Sequence, residues 1–168
     1  MRTRVCFMCW CLIGIFALTA VLQAGEETDK MVYHPKADAS AQLNAAIKRA
    51  GENNKHVLLV IGGNWCSWCM KLDRLFHADE TVSKLLADNY ELLHVNYSPE
   101  NKNLKVLERL DYPQRFGFPV LVVLDGQGHR LHTQNSGYLE KDKGHGPKKV
   151  ADFLKHWTPA AINPQKYQ

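Results

Sequence analysis

From Asp38 onward the chain alternates between apolar stripes at helical spacing and short, unbroken apolar runs. Leu43, Ala46, Ile47 and Ala50 repeat at helix period behind Asp38, a suitable N-cap, and Gly51 with the polar run to Asn54 stops that helix. Val57–Ile61 is continuously apolar and rich in β-branched residues, as expected of a strand buried on both faces. Gly62–Gly63–Asn64 turns the chain, after which Cys69, Leu72, Leu75 and Phe76 return to helical spacing. Asp79 caps a further helix through Val82, Leu85 and Leu86, and Tyr90–Val95 reads as a second buried strand. Ser98–Pro99 predicts the start of the next helix, with Leu104, Leu107 and Leu110 on its inner face.

Val120–Leu124 gives a third strand, Asp125–Gly126–Gln127–Gly128 a turn, and Arg130–Thr133 a returning fourth strand. Residues 135–147 read as a polar, Gly-rich loop, and the lysines between Lys141 and Lys149 as a solvated loop and helix start. Val150, Phe153, Leu154 and Trp157 form the stripe of a last helix, and the tail from Pro159 has no pattern. The order is helix, strand, helix, helix, strand, helix, strand, strand, helix. It predicts an α/β domain with a central mixed β-sheet and helices on both faces.

The first residues follow another pattern. Arg2 and Arg4 precede an apolar run, Val5–Leu22, followed by Ala24–Gly25 and a polar stretch opened by Glu26 and Glu27. A positive start, an apolar middle and a small residue at the cut predict a secretory signal peptide over residues 1–24. The alternative is an uncleaved membrane anchor, since such a run could just span a bilayer. The remaining organisation is a flexible lead-in over 25–37, a folded domain over 38–158 and a tail over 159–168.

Export changes two totals. The net charge of +4 falls by the two leader arginines, and no basic stripe remains of the kind a nucleic-acid binder carries. The leader also holds Cys6, Cys9 and Cys11, so of five cysteines only Cys66 and Cys69 stay in the mature chain. Two cysteines three positions apart close too small a loop to add much stability, which points to chemical use.

The string Trp65–Cys66–Ser67–Trp68–Cys69 sits where a buried strand ends and a helix begins. Thiol–disulfide exchange needs one accessible, readily ionised thiol and a second within reach of it. The free N–H groups and dipole of a helix start stabilise a thiolate at Cys66, and one helical turn brings Cys69 to it. Cys66 is then the nucleophile and Cys69 the resolving thiol. A Cys-x-x-Cys pair is also half of a zinc site, which would need two more ligands; His77 and His94 are the nearest histidines and read as surface or strand-end residues.

With Val57–Ile61 before it and Gly117–Phe118–Pro119–Val120 ahead of the hairpin, this motif resembles the thioredoxin superfamily. It is most similar to small bacterial periplasmic members with a Trp-Cys-x-x-Cys site. The resemblance covers about residues 38–158 and implies a thioredoxin-like fold. It also implies a cis Pro119 against the active disulfide, and a Phe118 backbone that pairs with an incoming extended peptide. Trp65 and Trp68 are then candidate substrate contacts. Two positions depart from the family. Val60 stands where thioredoxins carry a buried acid that moves protons to and from the second thiol, leaving water, Asp73 or Lys71 for that task. Ser67–Trp68 matches neither the reducing nor the strongly oxidising dipeptides of the family.

The expected function is disulfide exchange with protein substrates through Cys66 and Cys69, in a monomer exported to the periplasm. It needs no cofactor or metal and relies on a membrane redox partner for recycling. The alternative is a thioredoxin-fold module whose cysteines hold copper or zinc, or one that only binds.

Overall fold

The computed structural model describes residues 31–168. The signal-peptide or anchor expectation, and the lead-in before Met31, lie outside the described residues.

Nine main elements appear in the predicted order. They are α1 (Ala39–Glu52), β1 (His56–Gly62), α2 (Ser67–Ala78), α3 (Glu80–Asn89), β2 (Tyr90–Asn96), α4 (Leu104–Arg109), β3 (Val120–Leu124), β4 (Arg130–Asn135) and α5 (Pro147–His156). The sheet order is β2-β1-β3-β4, with β1 parallel to β2 and antiparallel to β3, and β3 antiparallel to β4. The fold is the expected mixed sheet between two helical layers.

Every residue of β1 is buried because the strand lies between two others and under helices on both faces. Its alternating side chains feed two cores. Val57, Leu59 and Ile61 join the layer of α1 and α4, with Leu43, Ala46 and Leu107. Leu58 and Val60 join the layer of α2, α3 and α5, with Leu72, Phe76, Val82, Val150 and Leu154. Asp38 caps α1 by accepting from Ala41 N–H at 3.0 Å, and Asp79 caps α3 by accepting from Val82 N–H at 2.9 Å.

Several local expectations are corrected. The helix expected at Ser98–Pro99 begins at Leu104. Ser98 and Asn101 instead close a turn through reciprocal backbone bonds of 3.1 and 3.2 Å. Asn96 and Asn103 side chains brace that turn, donating to Asn101 O at 2.8 Å and Asn96 O at 2.7 Å. The late start rotates the helix, so Leu104 is 60% exposed while Val106 joins Leu107 and Leu110 inside. Residues 135–147 are not a plain loop. They form a 3-10 turn (Ser136–Leu139) and a two-stranded ladder of β5 (Glu140–Lys141) and β6 (Gly144–His145). The tail holds a 3-10 turn at Pro164–Tyr167.

Residues 31–37 are also more ordered than a flexible lead-in. Tyr33 is fully buried, and the Asn64 side chain grips its backbone from both sides. Asn64 Oδ1 accepts from Tyr33 N at 3.1 Å, and Asn64 Nδ2 donates to Tyr33 O at 2.7 Å. Among the described residues, no helix is long and apolar enough to cross a membrane.

Candidate functional site

The strand β1 delivers the chain to a tight passage at Gly62. A methyl group there would lie 2.5 Å from Cys69 Sγ and 3.0 Å from Tyr33 Oη, so glycine lets the disulfide and the tyrosine close over the strand end. Gly63 O then accepts from Cys66 N at 3.0 Å, which turns the chain into α2.

Cys66 is the N-cap residue of α2, extended at φ −91° and ψ 102°. Its Sγ accepts from Cys69 N–H at 3.1 Å, taking up one of the free donors of the first turn. The two cysteines are disulfide-bonded, with Cα atoms 5.2 Å apart. Their access to solvent differs. Cys66 retains 6% exposure and Cys69 none, which leaves Cys66 the more approachable of the two residues. Cys66 is more covered than the sequence suggested, because Val32, Trp68, Met70 and Phe118 are packed around the pair.

Of the other sequence-derived residues, Phe118 and Trp68 pack against the cysteine cluster. The Phe118–Pro119 peptide is cis, and Phe118 is half-buried against the cysteine cluster. Trp65 is 58% exposed, with its Nε1–H donating to Tyr97 O at 2.7 Å. Its ring meets Phe118 edge-on at 5.6 Å, and Phe118 in turn lies 4.8 Å from Tyr97. A hollow of about 480 Å³ opens beside this shelf, lined by Trp65, Tyr97, Ser98, Pro99, Glu100 and Lys102. Trp68 faces the other way. It is half-buried, edge-on to His145 at 5.5 Å, with Lys71 Nζ 4.5 Å from its ring.

The two side chains suggested by sequence for proton transfer each have other neighbours. Lys71 Nζ donates to Lys143 O at 2.7 Å, which ties α2 to the β5–β6 ladder. Asp73 Oδ1 lies 3.4 Å from His94 Nε2, and its Oδ2 lies 3.8 Å from His77 Nδ1. His94 is a half-buried mid-strand residue, not a strand-end one. Burial holds its imidazole below the usual value, Asp73 opposes that, and His77 and His34 add to it. Val60 is buried among apolar neighbours, so no acid lies at that point. Burial also lowers His145, with Lys71 contributing.

Sequence reasoning missed Tyr33, Asn64, Tyr97 and His145. Asn64 carried the best signal, a polar residue directly after two glycines and before the motif. Tyr33 carried none, since it lies in a polar stretch without periodicity. Among the described residues, no three His, Cys, Asp or Glu side chains are grouped to hold a metal ion.

Known proteins resemble this chain to different extents. A disulfide bond reductase, DsbH, from Chlamydia pneumoniae is 24% identical over 136 residues, 75% of this chain and 81% of the relative. The thiol:disulfide interchange protein DsbD of Campylobacter jejuni is 29% identical over 91 residues, 54% of this chain. The chain spans only 15% of that relative's length. Among solved structures, a disulphide isomerase from Xylella fastidiosa superposes with a TM-score of 0.67 at 26% identity, over 74% of this chain and 95% of that one. The Thioredoxin-like family matches residues 38–126, which include β1, the cysteine pair, the cis proline and β3. A match over more than half of the sequence, on the same elements that assemble the disulfide, makes this chain a member of the thioredoxin-like family.

Proposed function

We propose that the protein is a thiol–disulfide oxidoreductase acting on protein substrates in an extracytoplasmic compartment. The observation that carries this reading is the Cys66–Cys69 disulfide at the start of α2, whose two residues differ in exposure. Cys66 keeps an opening to solvent and Cys69 has none.

In the oxidising direction, a substrate thiolate attacks Cys66 Sγ. The Cys66–Cys69 bond breaks, and Cys69 leaves with the electron pair while a substrate–Cys66 disulfide forms. A second substrate thiolate then attacks the substrate sulfur of that bond and releases Cys66 as a thiolate. The substrate is oxidised by two electrons and the cysteine pair is reduced. In the reducing direction, the Cys66 thiolate attacks a substrate disulfide, and Cys69 resolves the mixed disulfide by attacking Cys66 Sγ. The first-turn N–H groups of α2 stabilise negative charge on Cys66 in both directions.

Phe118 and Trp68 pack against the cysteine cluster, Trp65 meets Phe118 edge-on, and Pro119 follows Phe118 through the cis peptide. An extended substrate segment pairs with the Phe118 backbone and lays its side chains on the Trp65–Phe118–Tyr97 shelf. Electrons pass to or from a membrane redox partner. The chain works as a monomer and makes no use of nucleic acid. A copper- or zinc-holding role would require donors beyond the two sulfurs, and among the described residues no three His, Cys, Asp or Glu side chains are grouped to supply them.

The test is a Cys69→Ser variant expressed in cells, with covalent adducts separated on non-reducing gels. Mixed disulfides on Cys66 that vanish with dithiothreitol are expected, as is insulin reduction by the wild-type protein. A chain that traps nothing and does not reduce insulin refutes the proposal.

A further inference from the structure

Cys69 is sealed from water, yet in every cycle it must leave the disulfide with an electron pair. A buried thiolate without a hydrogen-bond donor is strongly disfavoured. The acid that could manage this from β1 is absent, since Val60 occupies that point. Asp73 and His94 face each other at 3.4 Å, and the His94 ring stands edge-on to Tyr33 at 5.2 Å, but neither is among the atoms nearest the strand end at Gly62.

The hydroxyl of Tyr33 stands close to Cys69. Tyr33 is fully buried in the same small cluster as Cys66 and Cys69. Its hydroxyl and Cys69 Sγ both crowd the same point above Gly62, at 3.0 and 2.5 Å from where a methyl would stand. That hydroxyl has no hydrogen-bond partner among the described residues. Buried hydroxyls are rarely left so, because the unmade bond is costly. The backbone of Tyr33 is held in place by both Asn64 bonds, and its ring is buried in the cysteine cluster. Burial, helped by the Asp73 charge, raises the phenol above its ordinary value and keeps it a neutral donor.

We infer that Tyr33 is a hydrogen-bond donor to the Cys69 sulfur in the reduced protein, its hydroxyl taking the thiolate as a partner when the disulfide opens. The step transfers no additional electrons. Substrate thiolate attacks Cys66 Sγ, Cys69 Sγ departs with the bonding pair, and the Tyr33 O–H turns to it. The charged groups around the pair are Asp73 on α2 and His94 on β2, with His34 and His77 beyond them. The His94 ring stands edge-on to Tyr33 at 5.2 Å, while the three atoms nearest the point above Gly62 are Cys69 Sγ and Cβ and the Tyr33 hydroxyl oxygen. This rests on the exchange chemistry proposed above and adds the residue that manages the buried sulfur.

The experiment uses the full chain with Cys6, Cys9, Cys11 and Cys66 each changed to Ser, so that Cys69 is the one remaining thiol. Thiolate absorbance is followed against pH with and without Tyr33→Phe. The expected result is a rise in the Cys69 midpoint of about one pH unit, the size of one charge-assisted hydrogen bond. In the matching Cys69→Ser chain, which retains Cys66, the same change is expected to leave the midpoint in place. Opening of the wild-type disulfide by a small thiol should slow roughly tenfold in Tyr33→Phe. An unchanged Cys69 midpoint overturns the inference, and so does an equal shift at both cysteines.

Should Tyr33→Phe unfold the chain, the unaltered protein carries the test. A ring-carbon label on tyrosine should report a changed Tyr33 hydroxyl environment on reduction, and no change overturns the inference. Because the titration needs no partner protein, its failure and that of the trapping experiment are separable.

Discussion

Replacing Gly62 with alanine tests how the site is built. The added methyl would meet Cys69 Sγ at 2.5 Å and Tyr33 Oη at 3.0 Å. In the oxidised protein neither can easily yield, because the sulfur is tied to Cys66 and the Tyr33 backbone is clamped by Asn64. Overpacking of this kind costs about 1–3 kcal/mol. In the reduced protein the Cys69 sulfur is free to rotate away, so most of the penalty falls on the disulfide form. With 1.4 kcal/mol equal to about 30 mV for a two-electron couple, the variant should be about 20–60 mV more oxidising than wild type. The assay is equilibration in glutathione buffers read by tryptophan fluorescence, beside guanidinium unfolding of both redox forms. The oxidised form should lose more stability than the reduced form. Equal losses in the two forms, with an unmoved potential, would show that the methyl is absorbed elsewhere and refute the reasoning.

Other outcomes follow from features already described. Asn64→Ala removes both bonds to the Tyr33 backbone and should cost about 1–2 kcal/mol in urea unfolding; no loss would mean that segment 31–37 is not held by this clamp. Asp79→Ala deletes the α3 cap and should cost about 1 kcal/mol by the same measurement. Leu59→Ala opens a cavity in the α1–α4 core and should cost about 2–5 kcal/mol, read from the thermal midpoint. Burial holds His56, His94 and His145 below the usual imidazole value, in His56 against the opposing pull of its 2.7 Å contact with Trp157 O. The unfolded chain therefore binds protons near pH 6.5 that the folded chain refuses, so stability is fully present above about pH 6.5 and falls as pH drops below it. Urea midpoints at pH 8 and pH 5 check the sign, and a rise on acidification would contradict it.

The order of the nine main elements was legible because each buries a periodic or continuous apolar pattern that local rules describe. The caps at Asp38 and Asp79 were legible for the same reason, since the bond each makes lies within three residues of itself. Ser98–Pro99 misled because a Ser-Pro start is locally sound. The alternative, a turn braced by Asn96, Asn101 and Asn103, depends on side chains that meet only after β2 is in place. Asn103 enters that helix at φ 49°, a left-handed value that asparagine tolerates better than most residues. Cys66, Cys69, Trp65 and Phe118–Pro119 declared themselves as a spaced motif. Tyr33 did not, because its burial is set by Asn64 and Gly62, some thirty positions along the chain.

One border of the sheet has a consequence for crowded solutions. β4, at one border, is Arg130–Leu131–His132–Thr133–Gln134–Asn135, a run dominated by polar and charged side chains. Arg130 is drawn off to Asp111, and His132 lies flat on Trp157 at 4.5 Å. A foreign strand adding there would have to strip water from those groups and displace that stacking, so copies of this chain have little incentive to zip together into fibrils along that margin.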